Sequence, residues 1–100
     1  MKKRFVVCLD SSTSEQNKSF KGFLQDNKLS WWHWLSSTWL LADKNGRFTA
    51  KEIRENVRLC YPGVHTIVLE LSGSDDTWAG FGPTRPDKNM FDWLKENWKA

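Results

Sequence analysis

The chain has 100 residues, of which 39% are hydrophobic and 27% charged, and its formal net charge is +3. This length allows one domain with a modest core, and no apolar run approaches the roughly 20 residues of a membrane-spanning helix. Much of the positive excess lies in Lys2, Lys3 and Arg4. A duplex-DNA binder normally has a denser basic face than these three residues provide. Cys8 and Cys60 belong to no metal-binding motif, and we expect a cytoplasmic protein.

Apolar periodicity and turn residues predict four strands and three helices. In chain order they are a strand over 4–10, a helix over 15–27, a hairpin of strands 31–35 and 38–42, a helix opened by Thr49 and ended by Pro62-Gly63, a strand over 64–71, and a helix over 90–98. Thr13 and Thr49 each begin a capping box. Strand–helix–strand repeated twice is the ferredoxin-like plan, in which two helices cover one face of an antiparallel sheet. We therefore expect an α+β, ferredoxin-like domain over residues 1–100 with an added C-terminal helix.

Tryptophan is the most unusual feature of the composition, with seven residues in all and four of them within nine positions. Strand alternation places Trp31 and Trp32 on opposite faces of the hairpin, so one set belongs to the core and the other to the open face of the sheet. A base stacked on an aromatic ring contributes roughly 1–3 kcal/mol, so an open-face set can bind nucleotides or single-stranded nucleic acid. Which set faces inward is left open, with Trp31 and Trp78 favoured as ligand contacts. The candidate stacking residues are Trp31, Trp32, Trp34, Trp39 and Trp78.

Asp10, at the end of the first predicted strand, is the first catalytic candidate. A carboxylate there can hold a divalent metal, with Mg²⁺ as the cofactor, that activates water for phosphodiester cleavage. In a symmetric dimer, two Asp10 side chains could share that metal. The alternative is that Asp10 only ends the strand, since no second ligand lies nearby in sequence. His33 is the second catalytic candidate, because a histidine that titrates near neutral pH can act as a general base.

Hydroxyl and arginine residues are candidate phosphate contacts. Ser11, Ser12 and Thr13 precede the first predicted helix, where free N–H groups favour an anion. Ordinary helix capping is the alternative role for these hydroxyls. Arg54 and Arg58, on the second predicted helix, could follow a phosphate backbone, and a solvated charged face is the alternative for them.

Several segments carry a resemblance to a known family. They are Val6-Val7-Cys8-Leu9-Asp10, the run from Trp32 to Leu40, Leu69-Glu70-Leu71 leading to Trp78-Ala79-Gly80-Phe81, and Phe91-Asp92-Trp93-Leu94-Lys95. These segments resemble a family of small bacterial and phage proteins labelled SinR-like, similar in layout to the CRISPR adaptation nuclease subunit and to VapD-type ribonucleases. The resemblance implies a ferredoxin-like homodimer that handles nucleic acid. It also implies that an acid at the end of the first strand, Asp10 here, takes part in cutting RNA.

These features give three functional hypotheses. The first is a homodimeric binding protein that recognises nucleotide or single-stranded nucleic acid by tryptophan stacking. The second is a metal-dependent endoribonuclease that uses Asp10. The third is a phage counter-defence protein that blocks a host immune protein or sequesters its nucleotide signal. The first is preferred, because the sequence offers much stacking surface and little catalytic apparatus.

Overall fold

The computed structural model describes residues 2–33, 35–71, 84–85 and 88–98. The strands are β1 (Lys3–Leu9), β2 (Ser30–Trp32), β3 (Thr38–Asp43), β4 (Thr66–Leu71), β5 (Thr84–Arg85) and β6 (Lys88–Asn89). The helices are α1 (Ser14–Asp26), α2 (Ala50–Cys60) and α3 (Met90–Trp93), and α3 continues directly as a π-helix over Leu94–Trp98. We call residues 90–98 the C-terminal helix. None of the described helices has the length and apolar character needed to cross a membrane.

Four of the strands form one antiparallel sheet with the order β2-β3-β1-β4. β1 pairs with β3 on one side and with β4 on the other, and β2 pairs with β3. Since β1 and β2 are both antiparallel to β3, they run parallel to each other, and α1 connects them. By the same argument β3 and β4 run parallel and are connected by α2. β5 and β6 form a separate two-stranded pair. The prediction of an α+β protein with an antiparallel sheet is confirmed.

The two long helices begin at the predicted capping boxes. The Thr13 hydroxyl accepts the Gln16 N–H at 3.2 Å, and the Gln16 side chain accepts the Thr13 N–H at 2.9 Å. Thr49 and Glu52 make the same exchange at 3.1 and 2.9 Å. Each box satisfies backbone N–H groups that have no partner within the helix, so the sequence defines where both helices start.

The core lies between the inner face of the sheet and helices α1 and α2. Phe20 lies at its centre and meets Trp39 edge-on, with ring centroids 5.0 Å apart, and Tyr61 at 5.8 Å. The Tyr61 hydroxyl donates to the Asn17 side chain at 2.7 Å, and burial raises the pKa of Tyr61 to about 12. The indole N–H of Trp39 is buried in the same core and has no hydrogen-bond partner among the described residues. The buried core residues are Phe5, Val7, Leu9, Phe20, Leu24, Leu29, Trp39, Leu41, Ile53, Val57 and Tyr61.

The C-terminal helix covers part of the outer face of the sheet. Its Leu94 and Trp98 side chains are buried, and the helix contacts β3, where Ala42 has no exposed surface. The Arg4 guanidinium of β1 lies 5.7 Å from the centre of the Trp98 ring and is itself buried. The predicted terminal helix therefore forms, and it supplies a second, smaller apolar layer.

Some predicted boundaries differ from the structure. β2 ends at Trp32 rather than at residue 35, where the His33 ring lies parallel to Trp39 and its Nε2 faces the Ser36 carbonyl. Pairing with β3 stops at Trp32, and the turn that leads into β3 lies at Ser36 and Ser37. β4 begins two residues later than predicted, and the last helix changes from α to π at Leu94. Cys8 and Cys60 are free thiols and half-buried.

Candidate functional site

Asp10 lies immediately after β1, next to the residue that precedes β4. Its backbone N–H donates to the His65 carbonyl at 2.9 Å, and its Oδ2 lies 3.9 Å from His65 Nδ1. Both side chains are exposed, so solvent screens their attraction and leaves them accessible to a ligand. Sequence reasoning did not pair Asp10 with His65. The signal was available, since the end of β1 meets the start of β4 when the two strands are antiparallel.

The hydroxyls that follow Asp10 serve local structure. Thr13 is the N-cap of α1, as the capping alternative requires. The Ser12 hydroxyl donates to the Ser36 carbonyl at 3.3 Å and lies 3.4 Å from the Asn17 amide. Ser11 is exposed. The side chains of Ser12 and Thr13 are therefore used in hydrogen bonds within the protein, which hold the start of α1 and link it to the Ser36 carbonyl.

His33 is held in a fixed orientation by stacking and by one hydrogen bond. Its ring is parallel to the Trp39 ring, with a 3.8 Å centroid distance and a 3° interplanar angle. The Ser36 carbonyl, 3.3 Å from Nε2, can only accept, so Nε2 carries a proton and Nδ1 is the acceptor in the neutral ring. Burial lowers the pKa of His33, and the Ser36 carbonyl partly opposes that shift. A neutral imidazole with a free acceptor nitrogen is the form that a general base requires.

The structure divides the predicted stacking residues between two faces. Trp39 is fully buried in the core and presents no ring face to a ligand. Trp31 lies on the same inner side, half-buried and packed against the core. Trp32 lies on the outer face, opposite Leu40 of β3. Two further candidates, Trp34 and Trp78, lie outside the described residues.

Three tryptophans form a cluster on the outer face, which we call the outer aromatic cluster (Trp32, Trp93 and Trp98). The Trp32 and Trp93 rings are 6.2 Å apart and tilted by 40°, and the Trp93 and Trp98 rings are 6.3 Å apart and tilted by 34°. Trp98 is buried, whereas Trp32 and Trp93 are half-buried, as Trp31 is on the inner side. Sequence reasoning missed Trp93 and Trp98 as site residues. The apolar stripe of the last helix, facing an open sheet, was the signal that could have joined them to Trp32.

Positive charge accompanies the outer aromatic cluster. The Lys2 ammonium donates to the Asn97 carbonyl of the C-terminal helix at 3.1 Å, and Arg4 lies over Trp98. The pKa of Lys2 is lowered, first by burial and then by the charges of Lys44 and Arg4. Mutual repulsion of this kind means that the three cations lie near one another, with Arg4 buried. An anionic group bound there would relieve it.

The predicted arginine contacts lie elsewhere. Arg54 and Arg58 are on the exposed side of α2, and both bind Glu55, at 2.8 and 3.0 Å. Their hydrogen bonds, that of Arg58 first, lower the pKa of Glu55. Because α2 packs on the inner face of the sheet, these arginines do not join the outer aromatic cluster.

Metal ligands are sparse in the part of the chain that the structure describes. No group of three or more His, Cys, Asp or Glu side chains there could hold a metal ion. Mg²⁺ takes several oxygen ligands, so Asp10 would need ligands from a substrate, from water or from a second copy to bind it.

In comparisons with protein-family models, with curated proteins and with solved structures, nothing matched this chain. The SinR-like resemblance therefore stays a prediction, and any function has to be argued from the geometry of the site.

Proposed function

We propose that the protein is a homodimeric binding protein that recognises nucleotides or single-stranded nucleic acid by stacking bases on tryptophan. The observation that carries the proposal is the outer aromatic cluster, in which the half-buried Trp32 and Trp93 rings lie 6.2 Å apart on the outer face of the sheet and keep part of their surface exposed. An indole ring at a surface offers a flat face that accepts any base, because every base has a π-face of its own.

The electrostatics beside this cluster support an anionic ligand. Lys2, Arg4 and Lys44 are close enough for two of them to depress the pKa of the third. A base stacked on Trp93 would leave its phosphate near this group of cations. Phosphate contacts release counterions, so binding of an oligonucleotide should weaken as salt rises.

The strand order supports the finer description of the fold. β2-β3-β1-β4, with helical crossovers from β1 to β2 and from β3 to β4, is the arrangement expected of two interleaved β-α-β units. We therefore propose a ferredoxin-like domain whose outer face is partly covered by the C-terminal helix and otherwise serves binding.

Substitution of Trp32 and Trp93, the two half-buried tryptophans of the outer aromatic cluster, tests the proposal. We expect Trp32→Leu and Trp93→Leu each to weaken the binding of short RNA, short DNA or nucleotides about 5- to 150-fold, since each removes one stacking contact of roughly 1–3 kcal/mol. The measurement is fluorescence quenching, repeated by titration calorimetry at two salt concentrations.

The matched control is Trp31→Leu, on the neighbouring residue that faces inward. It should lower stability, which circular dichroism follows, and leave the affinity of the folded protein unchanged. Equal losses in all three variants would contradict stacking on the outer face. If no nucleotide or oligonucleotide quenches the wild-type protein, the proposal fails and a protein target becomes the better hypothesis.

The contact between Asp10 and His65 favours endoribonuclease activity as a second candidate function. A carboxylate oxygen 3.9 Å from an imidazole nitrogen can orient the ring, and the neutral ring can accept a proton from a ribose hydroxyl whose oxygen then attacks the neighbouring phosphorus. We expect Asp10→Asn and His65→Gln each to reduce RNA cleavage at least about a hundredfold, the range typical of general acid–base catalysis.

The assay uses labelled single-stranded RNA with Mg²⁺ and, separately, with a chelator. Asp26→Asn, at the exposed end of α1, is the matched control and should retain full activity. Cleavage that survives both site variants would come from a contaminant or from another site, and it would rule out this candidate.

A further inference from the structure

β4 is an edge strand with an unusually apolar outer side. Among the described residues, β1 is the only strand that pairs with it. On its outer side Ile67, Leu69 and Leu71 are 54%, 46% and 38% exposed. Natural proteins protect edge strands with charges, proline or short length, because a free edge is a template for another strand. Here β4 carries a single charged side chain, Glu70, and no strand in the described part of the chain occupies its other edge.

The hydrogen bonds at the end of β1 show which backbone groups of β4 face that edge. Asp10 donates to the His65 carbonyl, whereas the preceding residue, Leu9, donates to Ser37 beside β3. In an antiparallel ladder such bonding alternates along the strand. The register of β1 and β4 continues this alternation, so the backbone N–H and C=O groups of the odd-numbered residues of β4 bond to β1. The N–H and C=O groups of Thr66, Val68 and Glu70 therefore point to the free edge.

A groove lies between this edge and α2, and its charge indicates which side chains an added strand should carry. The groove has a volume of about 560 Å³ and is lined by Ala50, Lys51, Arg54, Thr66, Ile67 and Val68. Lys51 and Arg54 make its helical wall positive. A strand added to the edge would place alternate side chains in this groove and on the outer side. The added strand should therefore present an acidic residue to the groove, and the residues on either side of it, which face the outer side of the sheet, should be apolar.

β4 itself has this pattern, in Leu69-Glu70-Leu71. We propose that a second copy of the chain pairs with the free edge of β4, antiparallel and about a two-fold axis that passes between the Val68 residues. In this register Thr66 lies opposite Glu70 of the partner subunit, and Ile67 lies opposite Leu69 of the partner subunit. Every residue that faces the edge is paired within the bounds of the strand.

Charge and packing complementarity favour this occupant. Glu70 of the partner subunit would enter the groove beside Lys51 and Arg54, and the symmetry makes this contact twice. On the outer side, the apolar residues of both strands would pack side by side in one eight-stranded sheet. The inference rests on the dimer of the proposed function, but it does not depend on base stacking.

Charge reversal across the interface tests the pairing. The wild-type protein should sediment as a dimer in analytical ultracentrifugation, and Glu70→Lys should raise the dimer dissociation constant about tenfold or more, since two attractive pairs become repulsive. Adding Lys51→Glu and Arg54→Glu to Glu70→Lys should restore dimerisation. Glu96→Lys, the same charge change on the C-terminal helix, is the control and should leave the dimer intact.

Two results would overturn the pairing. One is a wild-type protein that remains monomeric across the concentration series, and the other is a dimer that Glu70→Lys weakens no more than Glu96→Lys does. Nucleotide binding is measured on the same samples by fluorescence. A monomer that still binds nucleotide refutes the interface and is compatible with base stacking. A dimer that Glu70→Lys weakens but that shows no response to nucleotide supports the interface and refutes base stacking.

Discussion

At the scale of single residues, His33 combines a packing role with a titratable group. Its ring covers one face of the buried Trp39, and its Nε2 bonds to the turn that joins β2 to β3. Stacking of this kind needs a planar ring, and burial favours the neutral one. His33 therefore couples the hairpin turn to pH, whether or not it also acts as a base.

This coupling gives a prediction for stability against pH. Burial lowers the pKa of His33 in the folded protein, so between that pKa and the ordinary value of about 6.5 the unfolded chain binds more protons. The contribution of His33 to stability is complete above about pH 6.5 and declines as the pH falls through the lowered pKa.

The comparison is between the wild-type protein and His33→Phe, which keeps a ring on Trp39 and cannot titrate. We expect the melting temperature of the wild type to fall more steeply than that of the variant between about pH 7 and about pH 5. Parallel melting curves across this range would show that the His33 pKa is the same in the folded and unfolded states.

At the scale of elements, the two capping boxes decide where α1 and α2 begin. Thr13 and Thr49 make the same reciprocal hydrogen bonds, on separate helices that pack against each other. α2 depends on its cap for its position as well as for its stability, because its first two turns carry Lys51 and Arg54 to the wall of the groove beside β4.

Removing a cap should therefore have a measurable and specific cost. We expect Thr49→Ala to lower the free energy of unfolding by about 1 kcal/mol, within a range of about 0.5–2 kcal/mol, whereas Thr49→Ser should cost less because it keeps the hydroxyl. Urea denaturation at constant m-value is the measurement. A loss of the same size in Thr49→Ser would point to the methyl group rather than to the hydrogen bond.

At the scale of the whole molecule, the candidate surfaces are well separated. The outer aromatic cluster includes Trp32 of edge strand β2, and the proposed interface lies on the opposite edge, at β4. In the proposed dimer, the His65 residues of the two subunits are six positions apart along the paired strands, or about 20 Å. Asp10 lies beside His65, so two Asp10 side chains could not share a metal. The edge dimer and the shared Mg²⁺ site are alternatives, and sedimentation of Glu70→Lys distinguishes them.

Local patterns predicted much of the fold. Thr13 and Thr49 marked both helix starts, and alternation correctly separated Trp31 from Trp32. The end of β2 was wrong by three residues, because the period-two pattern continues beyond Trp32 although the pairing with β3 stops there. The candidate site was predicted less well, since its residues come from segments that are distant in sequence.

The sequence by itself determined the order of the helices and of the four strands of the main sheet, the helix caps and the alternation of those strands, because these depend on neighbours within a few residues. It did not predict the short pair of β5 and β6. Only the tertiary structure decided which tryptophans are buried. The helices α1 and α2 cover one face of the sheet, which places Trp39 in the core, and the C-terminal helix brings Trp93 to Trp32 on the other face. Strand pairing likewise joined Asp10 to His65 and left β4 at an edge. Such contacts depend on long-range packing, which no local pattern of residues encodes.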